Sequence, residues 1–270
     1  MSSPENDVPT AALPTASATL VIFDLDGTLV DSIGDINAAL RVALRAVDDG
    51  RMSHGADEEA LRRGAHGQPL EGFFRSARPS SSHDAVQAFI AAYRQHYHAH
   101  LLDTTQPFPG VREGLARLAA LRDKSRRTDG TPQLRLAVAT TKLTATARRV
   151  VMELGLGEFF DWVQGSDGLK VKPDPQVLHV TMQALGHAPA AREPARGAAG
   201  LTGVPAQPWG LMVGDTEFDI LAGRAAGLAT CAVAWSEIPR DRLMQAEPDH
   251  LAAEFAHIVD LVDEQLRQRL

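Results

Sequence analysis

VIFDLDGTLVDS, residues 21–32, is the stretch of sequence on which the prediction of the fold rests. The apolar run at residues 20–23 predicts a buried strand. Asp24 and Asp26 follow two positions apart, and side chains with that spacing share one face of an extended chain. In an open parallel sheet, ligands bind beyond the carboxyl ends of the strands. We therefore expect both carboxylates to face one small volume at such an end.

The two carboxylates would repel each other at this separation, and a bound cation would relieve that repulsion. Gly27 suits a sharp turn, because glycine adopts backbone angles that a residue with a Cβ resists. An ordinary Asp-Gly turn behind a strand is the alternative interpretation. The full string DLDGTL, residues 24–29, is more specific. It resembles the first motif of the haloacid dehalogenase superfamily, whose phosphatase members carry D-x-D-G-T.

Strand and helix patterns alternate along much of the remaining chain. Apolar runs predict further strands at residues 134–139, within 159–164, at 210–213 and at 230–234. This order predicts an α/β fold with a doubly wound parallel sheet, and the resemblance implies the Rossmann-like core of the superfamily. A closing helix is expected at about residues 251–269. The Ala-, Pro- and Gly-rich residues 186–208 predict a surface excursion.

A long segment after the first strand lacks any convincing strand pattern. Helical periodicity and capping signals there predict helices at residues 33–47, 57–63, 70–74 and 84–101. We therefore expect an all-helical cap domain inserted into the core. The chain would then divide into a flexible N-terminal tail at residues 1–17, a catalytic core at residues 18–32 and 105–270, and the cap domain at residues 33–104.

Composition and charge argue against several classes of partner. The 270 residues carry a net charge of -7, which provides no basic surface for nucleic acid. No run approaches the ~20 apolar residues of a membrane span, and residues 1–18 lack the features of a secretory signal. Cys231 is the single cysteine, so no intramolecular disulfide can form. We expect a cytoplasmic protein without nucleic-acid or membrane partners, and the sequence does not indicate its oligomeric state.

Two further strand ends carry polar groups that match the superfamily in order. Thr140 follows the predicted strand at 134–139, where the resemblance implies a Ser or Thr bonded to a phosphate oxygen. Its neighbour Thr141 departs from the Asn of related phosphatases, so the role of Thr141 stays open. Lys172, with Pro173 after it, matches the third motif, and its ammonium can neutralise a transferring phosphoryl group.

The fourth motif is G-D-x-x-x-D, found at residues 214–219. The resemblance implies that Asp215 is a direct metal ligand and that Asp219 is a supporting carboxylate. With Asp24 and the main-chain carbonyl of Asp26, they would form a hard oxygen site suited to Mg²⁺. Capping of its own helix is an alternative role for Asp219.

The resemblance also implies a two-step mechanism. Asp24 attacks phosphorus and forms an aspartyl-phosphate, while Asp26 protonates the leaving oxygen and then activates the hydrolytic water. Lys172 is the third catalytic residue in this interpretation. The phosphate-binding groups that the motifs imply are Asp24, Gly27, Thr28, Thr140, Thr141 and Lys172.

The motifs distinguish between branches of the superfamily. The dehalogenase branch replaces the second aspartate, because a halide needs no acid to leave, whereas Asp26 is present here. Phosphonatases and β-phosphoglucomutase-like enzymes use a cap lysine, and residues 31–107 contain none. These comparisons favour a phosphatase that acts on a small phosphorylated metabolite, similar to phosphoglycolate phosphatases.

Two alternatives stay open at this point. One is a phosphosugar mutase or another phosphotransferase of the superfamily. The other is a catalytically inactive binding or regulatory protein built on the same fold. The presence of Asp24, Asp26, Lys172 and Asp215 disfavours this second alternative.

The cap loop at residues 62–69 lies where related enzymes place groups that contact the substrate. Its candidates are Arg62, Arg63 and His66. Either arginine could pair with a substrate carboxylate. Both could equally be solvated helix charges, as arginines usually are.

Overall fold

The fold is described by a computed structural model that covers residues 18–48, 61, 69–187 and 209–268. The predictions for the tail at 1–17, for the helix at 57–63 apart from residue 61, for Arg62, Arg63 and His66, and for all but the first two residues of the excursion at 186–208 lie outside this part of the chain. Among the described residues, no helix combines the length and the apolar composition needed to cross a membrane.

The described chain contains eight strands. In chain order they are β1 Thr19–Phe23, β2 Val30–Asp31, β3 Gln106–Pro107, β4 Leu134–Ala139, β5 Trp162–Gln164, β6 Gly210–Gly214, β7 Ala229–Val233 and β8 His250–Ala252. Six of them form one parallel sheet in the order β5-β4-β1-β6-β7-β8. Strands β2 and β3 form a separate antiparallel ribbon. Because β1 lies between β4 and β6, the carboxyl ends of these three strands meet at the centre of one edge.

Helices cover both faces of the sheet. In chain order they are α1 Ile33–Val47, α2 Leu70–Ala77, α3 His83–Ala99, α4 Val111–Lys124, α5 Thr144–Glu153, α6 Gln176–Ala184, α7 Glu217–Ala225, α8 Arg240–Gln245 and α9 Phe255–Arg267. Val21 and Phe23 of β1 pack in one hydrophobic cluster with Phe255 of α9. Leu20 and Ile22 pack in a second cluster, to which α6 and α7 contribute. Both faces of β1 are thus buried, which confirms the predicted doubly wound parallel sheet.

Three features of the core differ from the sequence-based expectations. Helix α9 begins at Phe255 rather than near residue 251, because residues 250–252 form the edge strand β8. The β2–β3 ribbon has two residues on each strand, too few for a period-2 pattern to be recognised. The six-residue helix α8 is also absent from the predicted elements.

Helices α1, α2 and α3 lie in the chain between β2 and β3, and we call these three helices the cap. Helices α1 and α2 both pack against α3. Phe89 stacks with Phe74 at 4.5 Å and with Phe73 at 6.1 Å between ring centroids. Within the described part of the cap, all regular structure is helical, as predicted.

Asp35 ties the first helix of the cap to the segment that returns to the core. Its carboxylate accepts hydrogen bonds of 2.6–3.1 Å from the backbone N–H and hydroxyl groups of Thr104 and Thr105. Burial opposes the charge, but these hydrogen bonds outweigh that effect and hold the pKa of Asp35 below its usual value of 3.8. The network joins the two chain segments that connect cap and core.

Asp35→Asn is expected to lower the free energy of unfolding by about 2–4 kcal/mol near neutral pH, because an amide accepts fewer hydrogen bonds and leaves buried donors unpaired. Since the pKa of Asp35 is lower in the folded state, the stabilisation by the carboxylate is complete above the unfolded-state pKa and is lost as the pH falls through the folded-state pKa. The difference between wild type and variant should therefore shrink at about pH 3. Urea unfolding of wild type and variant, near neutral pH and at about pH 3, measures this difference in the free energy of unfolding. Asp103→Asn, at an exposed position, is the control. An unchanged difference would contradict this interpretation.

Candidate active site

Three acidic side chains meet at the carboxyl edge of the sheet. Asp24 follows β1, Asp215 follows β6, and Asp219 lies in the first turn of α7. Ligand oxygens of the three carboxylates lie within 4.8 Å of one another, and all three residues are buried. Because β1 and β6 are adjacent and parallel, their ends bring Asp24 and Asp215 together.

Lys172 binds two of these carboxylates from the loop between β5 and α6. Its Nζ donates to Oδ1 of Asp24 at 2.7 Å and to Oδ1 of Asp219 at 2.5 Å. A third hydrogen bond, 3.0 Å long, reaches the carbonyl of Ala139 at the end of β4. Burial disfavours the ammonium, but Asp219 and Asp24 outweigh that effect and raise the pKa of Lys172 above its usual value. A permanent positive charge therefore lies against Asp24.

Asp24 and Asp215 are held unfavourably as anions. Burial raises the pKa of Asp24 to about 7, although the neighbouring Lys172 ammonium opposes the change. Burial, together with Asp219 and Asp24, raises the pKa of Asp215 well above its usual value. Three buried carboxylates and one ammonium leave two negative charges uncompensated when all are ionised. A divalent cation with a preference for oxygen ligands fits this donor set.

Asp219 uses both of its carboxylate oxygens within the protein. Oδ1 is bound to Lys172, and Oδ2 accepts from the Thr216 N–H at 3.1 Å and from the Thr216 hydroxyl at 2.7 Å. Thr216 in turn accepts from the Asp219 N–H, which completes a capping box at the start of α7. The helix-capping role that the sequence left open is thus present, and Asp219 also orients Lys172.

The turn after β1 brings Gly27 and Thr28 against Asp215. Gly27 has a φ of +81°, and a Cβ at this position would lie 2.1 Å from Oδ2 of Asp215. A side chain at residue 27 would therefore displace the carboxylate, so glycine is required there. The Thr28 hydroxyl donates to Oδ1 of Asp215 at 3.3 Å, and the Trp235 indole N–H donates to the Thr28 carbonyl at 3.0 Å.

Asp26 is held separately from the buried cluster. Its Oδ1 accepts a 2.5 Å hydrogen bond from the Ser32 hydroxyl, and its Oδ2 forms a 3.0 Å ion pair with Lys142 Nζ. Sequence reasoning proposed no role for either partner. The signal available for Lys142 was its position two residues after Thr140, at the end of a predicted strand.

The two threonines after β4 have different surroundings. Thr140 is buried, and its Oγ1 accepts from the backbone N–H of Lys142 at 3.2 Å. Thr141 lines the neighbouring cavity, and its carbonyl accepts from the Ser166 hydroxyl at 2.6 Å. Both threonines therefore belong to the strand end that Lys172 also contacts.

A cavity of about 890 Å³ lies between the cap and this edge of the core. The core side contributes Asp24, Asp26, Asp215 and Lys142 to its wall. The cap side contributes mainly apolar and aromatic groups, among them Ile36, Leu40, Phe73, Ile90, Tyr93 and Tyr97. The acidic cluster is thus accessible from a space that the cap covers.

Comparison with known proteins identifies the family. A family model described as haloacid dehalogenase-like hydrolase matches residues 21–193, and an HAD-hydrolase-like model matches residues 171–258. Pyrophosphatase PpaX of Halalkalibacterium halodurans is 30% identical over 243 residues, which cover 90% of this chain and 95% of that protein. Phosphoglycolate phosphatase of Aquifex aeolicus is 27% identical over 252 residues, which cover 90% and 96% of the two chains.

A solved structure of a haloacid dehalogenase-like family hydrolase from Streptococcus pneumoniae matches with a TM-score of 0.68 at 26% identity, covering 91% of this chain and 98% of that one. The chain therefore belongs to the haloacid dehalogenase-like hydrolase family. Within that family it is an enzyme of the phosphatase type.

Proposed function

We propose that the chain is a Mg²⁺-dependent phosphomonoester hydrolase that acts on a small phosphorylated metabolite through an aspartyl-phosphate on Asp24. The observation that carries this proposal is the contact of Asp24 with the buried Lys172 ammonium at a wall of the cavity. Because Oδ1 of Asp24 accepts a hydrogen bond from Lys172, we assign the attack on phosphorus to Oδ2.

In the first step, Oδ2 of Asp24 forms a bond to phosphorus while the bond from phosphorus to the leaving oxygen breaks. Asp26 gives its proton to that oxygen, and the product alcohol departs. In the second step, Asp26 takes a proton from water, which attacks phosphorus and releases phosphate and free Asp24. Lys172 offsets negative charge on Asp24 and the phosphoryl group throughout. The backbone at Gly27 and Thr28, with Thr140 and Thr141, would bind the phosphate oxygens.

The buried excess of negative charge supports a Mg²⁺ site at the same cluster. Asp24, Asp215 and the main-chain carbonyl of Asp26 would be its ligands, and Asp219 would support them through Lys172 and α7. When bound, the ion neutralises the carboxylates and withdraws charge from the phosphoryl oxygens.

Mg²⁺ is expected to raise the thermal unfolding temperature of the wild type and to restore the p-nitrophenyl phosphatase activity that EDTA removes. Asp215→Asn should lose both responses, because it lacks one ligand charge. Since Asp24 and Asp215 have raised pKa values, the Mg²⁺ concentration needed for half the thermal shift should rise as the pH falls below about 7. Activity that persists in EDTA would contradict the metal requirement.

Phosphoglycolate is the first substrate to test, because one relative, whose alignment covers 90% of this chain, is named phosphoglycolate phosphatase. Pyrophosphate is the second candidate, since another relative is named pyrophosphatase. A screen of the purified protein should include both, together with phosphosugars and other phosphorylated metabolites. Phosphate release is expected, with kcat/KM highest for the physiological substrate. Isomerised phosphosugar without phosphate release would instead support the phosphosugar mutase alternative, and no phosphate release from any of these compounds would contradict the proposed hydrolase activity.

We also propose that residues 33–104 close over the site as a cap and exclude water during the first step. Arg62, Arg63 or His66 would then contact the substrate. A reducing cytoplasm is the proposed setting, and it agrees with a single, buried Cys231 thiol whose pKa burial raises to about 12.

A further inference from the structure

Lys142 connects the core to the cap at the edge of the cavity. Its Nζ lies 3.0 Å from Oδ2 of Asp26 and 2.6 Å from the hydroxyl oxygen of Tyr97 on α3. The same ammonium lies 4.5 Å from the centroid of the Tyr97 ring. With 9% of its side chain exposed, Lys142 is fixed between these two partners rather than free in solvent. A charged group thus joins an acidic side chain of the core to an aromatic side chain of the cap.

The carboxyl group of Asp26 is oriented by hydrogen-bonding partners on both oxygens. Ser32, which donates to Oδ1, directly precedes the first cap helix α1, whereas Lys142 binds Oδ2 and contacts α3 through Tyr97. Rotation of the Asp26 carboxyl group about its Cβ–Cγ bond would move both oxygens away from these partners. Ser32 is the sequence neighbour of α1, and Lys142 contacts Tyr97 of α3. A displacement of the cap would therefore change the position of this carboxyl group.

We infer that Lys142 is a positioning residue that orients Asp26 for proton transfer, and that Tyr97 makes this orientation depend on the position of the cap. The inference rests on the proposed function, because it assigns Asp26 the proton transfer to and from the reacting oxygens. The orienting lysine comes from the core, just after β4. The cap segment itself contains no lysine.

A purely structural role for the same ion pair makes a different prediction. If Lys142 only stabilised the contact between cap and core, its loss would slow every substrate by a similar factor. If Lys142 acts through Asp26, the loss should depend on the leaving group, because a poor leaving group needs protonation and p-nitrophenolate does not. The ratio of losses on two substrates therefore separates the two roles.

The test measures kcat/KM of the Mg²⁺-loaded full chain on an alkyl phosphate and on p-nitrophenyl phosphate, because this parameter reports the first chemical step. Lys142→Met should reduce the value for the alkyl phosphate by about 10- to 100-fold and that for p-nitrophenyl phosphate by less than about threefold. Tyr97→Phe, which keeps the ring and removes the hydroxyl, should show the same pattern with a loss of about fivefold on the alkyl phosphate. Lys170→Met removes an exposed loop lysine and is the matched control.

The same substitution in an Asp26→Asn background isolates the path through Asp26. There Lys142→Met should cause no further loss on the alkyl phosphate, since residues that act through one another are not additive. Equal losses on both substrates, or a full additional loss in the Asp26→Asn background, would overturn the inference while leaving the proposed function intact. A wild type that hydrolyses neither substrate would overturn both. Thermal unfolding of each variant confirms that the compared proteins are folded, and Tyr97→Phe provides the answer if Lys142→Met does not fold.

Discussion

Asp24→Asn is expected to abolish turnover, with a loss of at least about 10⁴-fold in kcat on every substrate. An amide oxygen is a poor nucleophile towards phosphorus and a weaker ligand for Mg²⁺ than a carboxylate. Because the loss concerns the bond-forming atom itself, it should not depend on the leaving group. Steady-state hydrolysis of p-nitrophenyl phosphate and of an alkyl phosphate measures it.

The same variant should remain folded, and this provides an internal control. Asp24 is one of three buried carboxylates around a single ammonium, and burial raises its pKa to about 7. Removal of one negative charge relieves that repulsion, while Lys172 keeps its hydrogen bond to Asp219. Thermal unfolding in EDTA should therefore occur at the wild-type temperature or above. Substantial residual activity in a folded Asp24→Asn protein would remove Asp24 from the role of nucleophile.

Asp26→Asn is expected to have an effect that depends on the leaving group. The nucleophile is retained, and in the proposed site the metal contacts only the main-chain carbonyl of residue 26. On an alkyl phosphate, the first step should slow by about 10²–10⁴-fold, because general acid assistance is lost. On p-nitrophenyl phosphate that step should slow much less, since p-nitrophenolate leaves without protonation. Rapid-quench measurement of the first step on both substrates tests the difference.

Asp26→Asn should also slow the second step, because water would lack its general base. With p-nitrophenyl phosphate the phosphoenzyme should then accumulate, and a burst of p-nitrophenolate should precede slow turnover. Asp174→Asn is a matched control, because Asp174 lies on the same loop as Lys172 but has no role in the proposed mechanism. Equal losses on the two substrates would leave Asp26 as a positioning residue only.

The parallel sheet and the placement of the candidate site residues at its edge could be predicted because both depend on local signals. Strands of five or six mainly apolar residues, such as β1 and β4, stand out from their surroundings, and polar groups directly follow them. Parallel strands end at one edge, so Asp24, Thr140 and Asp215 were expected at that edge once the strands were identified. Their proximity depends in addition on the strand order β4-β1-β6, which local signals do not encode. Elements with weak local signals, such as β2, β3 and β8, have only two or three residues each and escaped prediction.

Contacts between distant segments could not be predicted in this way. The hydrogen bonds from Thr104 and Thr105 to Asp35 span about seventy positions of sequence, and nothing near Asp35 distinguishes it from a first-turn helix acid. The pairing of Lys142 with Tyr97 likewise depends on how α3 rests on the core. Such contacts arise from tertiary packing, which residue spacing along one element does not encode.

In the proposed mechanism, Asp24 carries the phosphoryl group between the two steps. Acid quenching of Asp26→Asn during turnover of p-nitrophenyl phosphate, followed by peptide mass spectrometry, identifies the residue that carries this group. One added phosphoryl group is expected on the peptide that contains Asp24, sensitive to hydroxylamine as an acyl phosphate is, and none in Asp24→Asn. A phosphoryl group on any other residue, or product formation with no phosphoenzyme at any quench time, would contradict it.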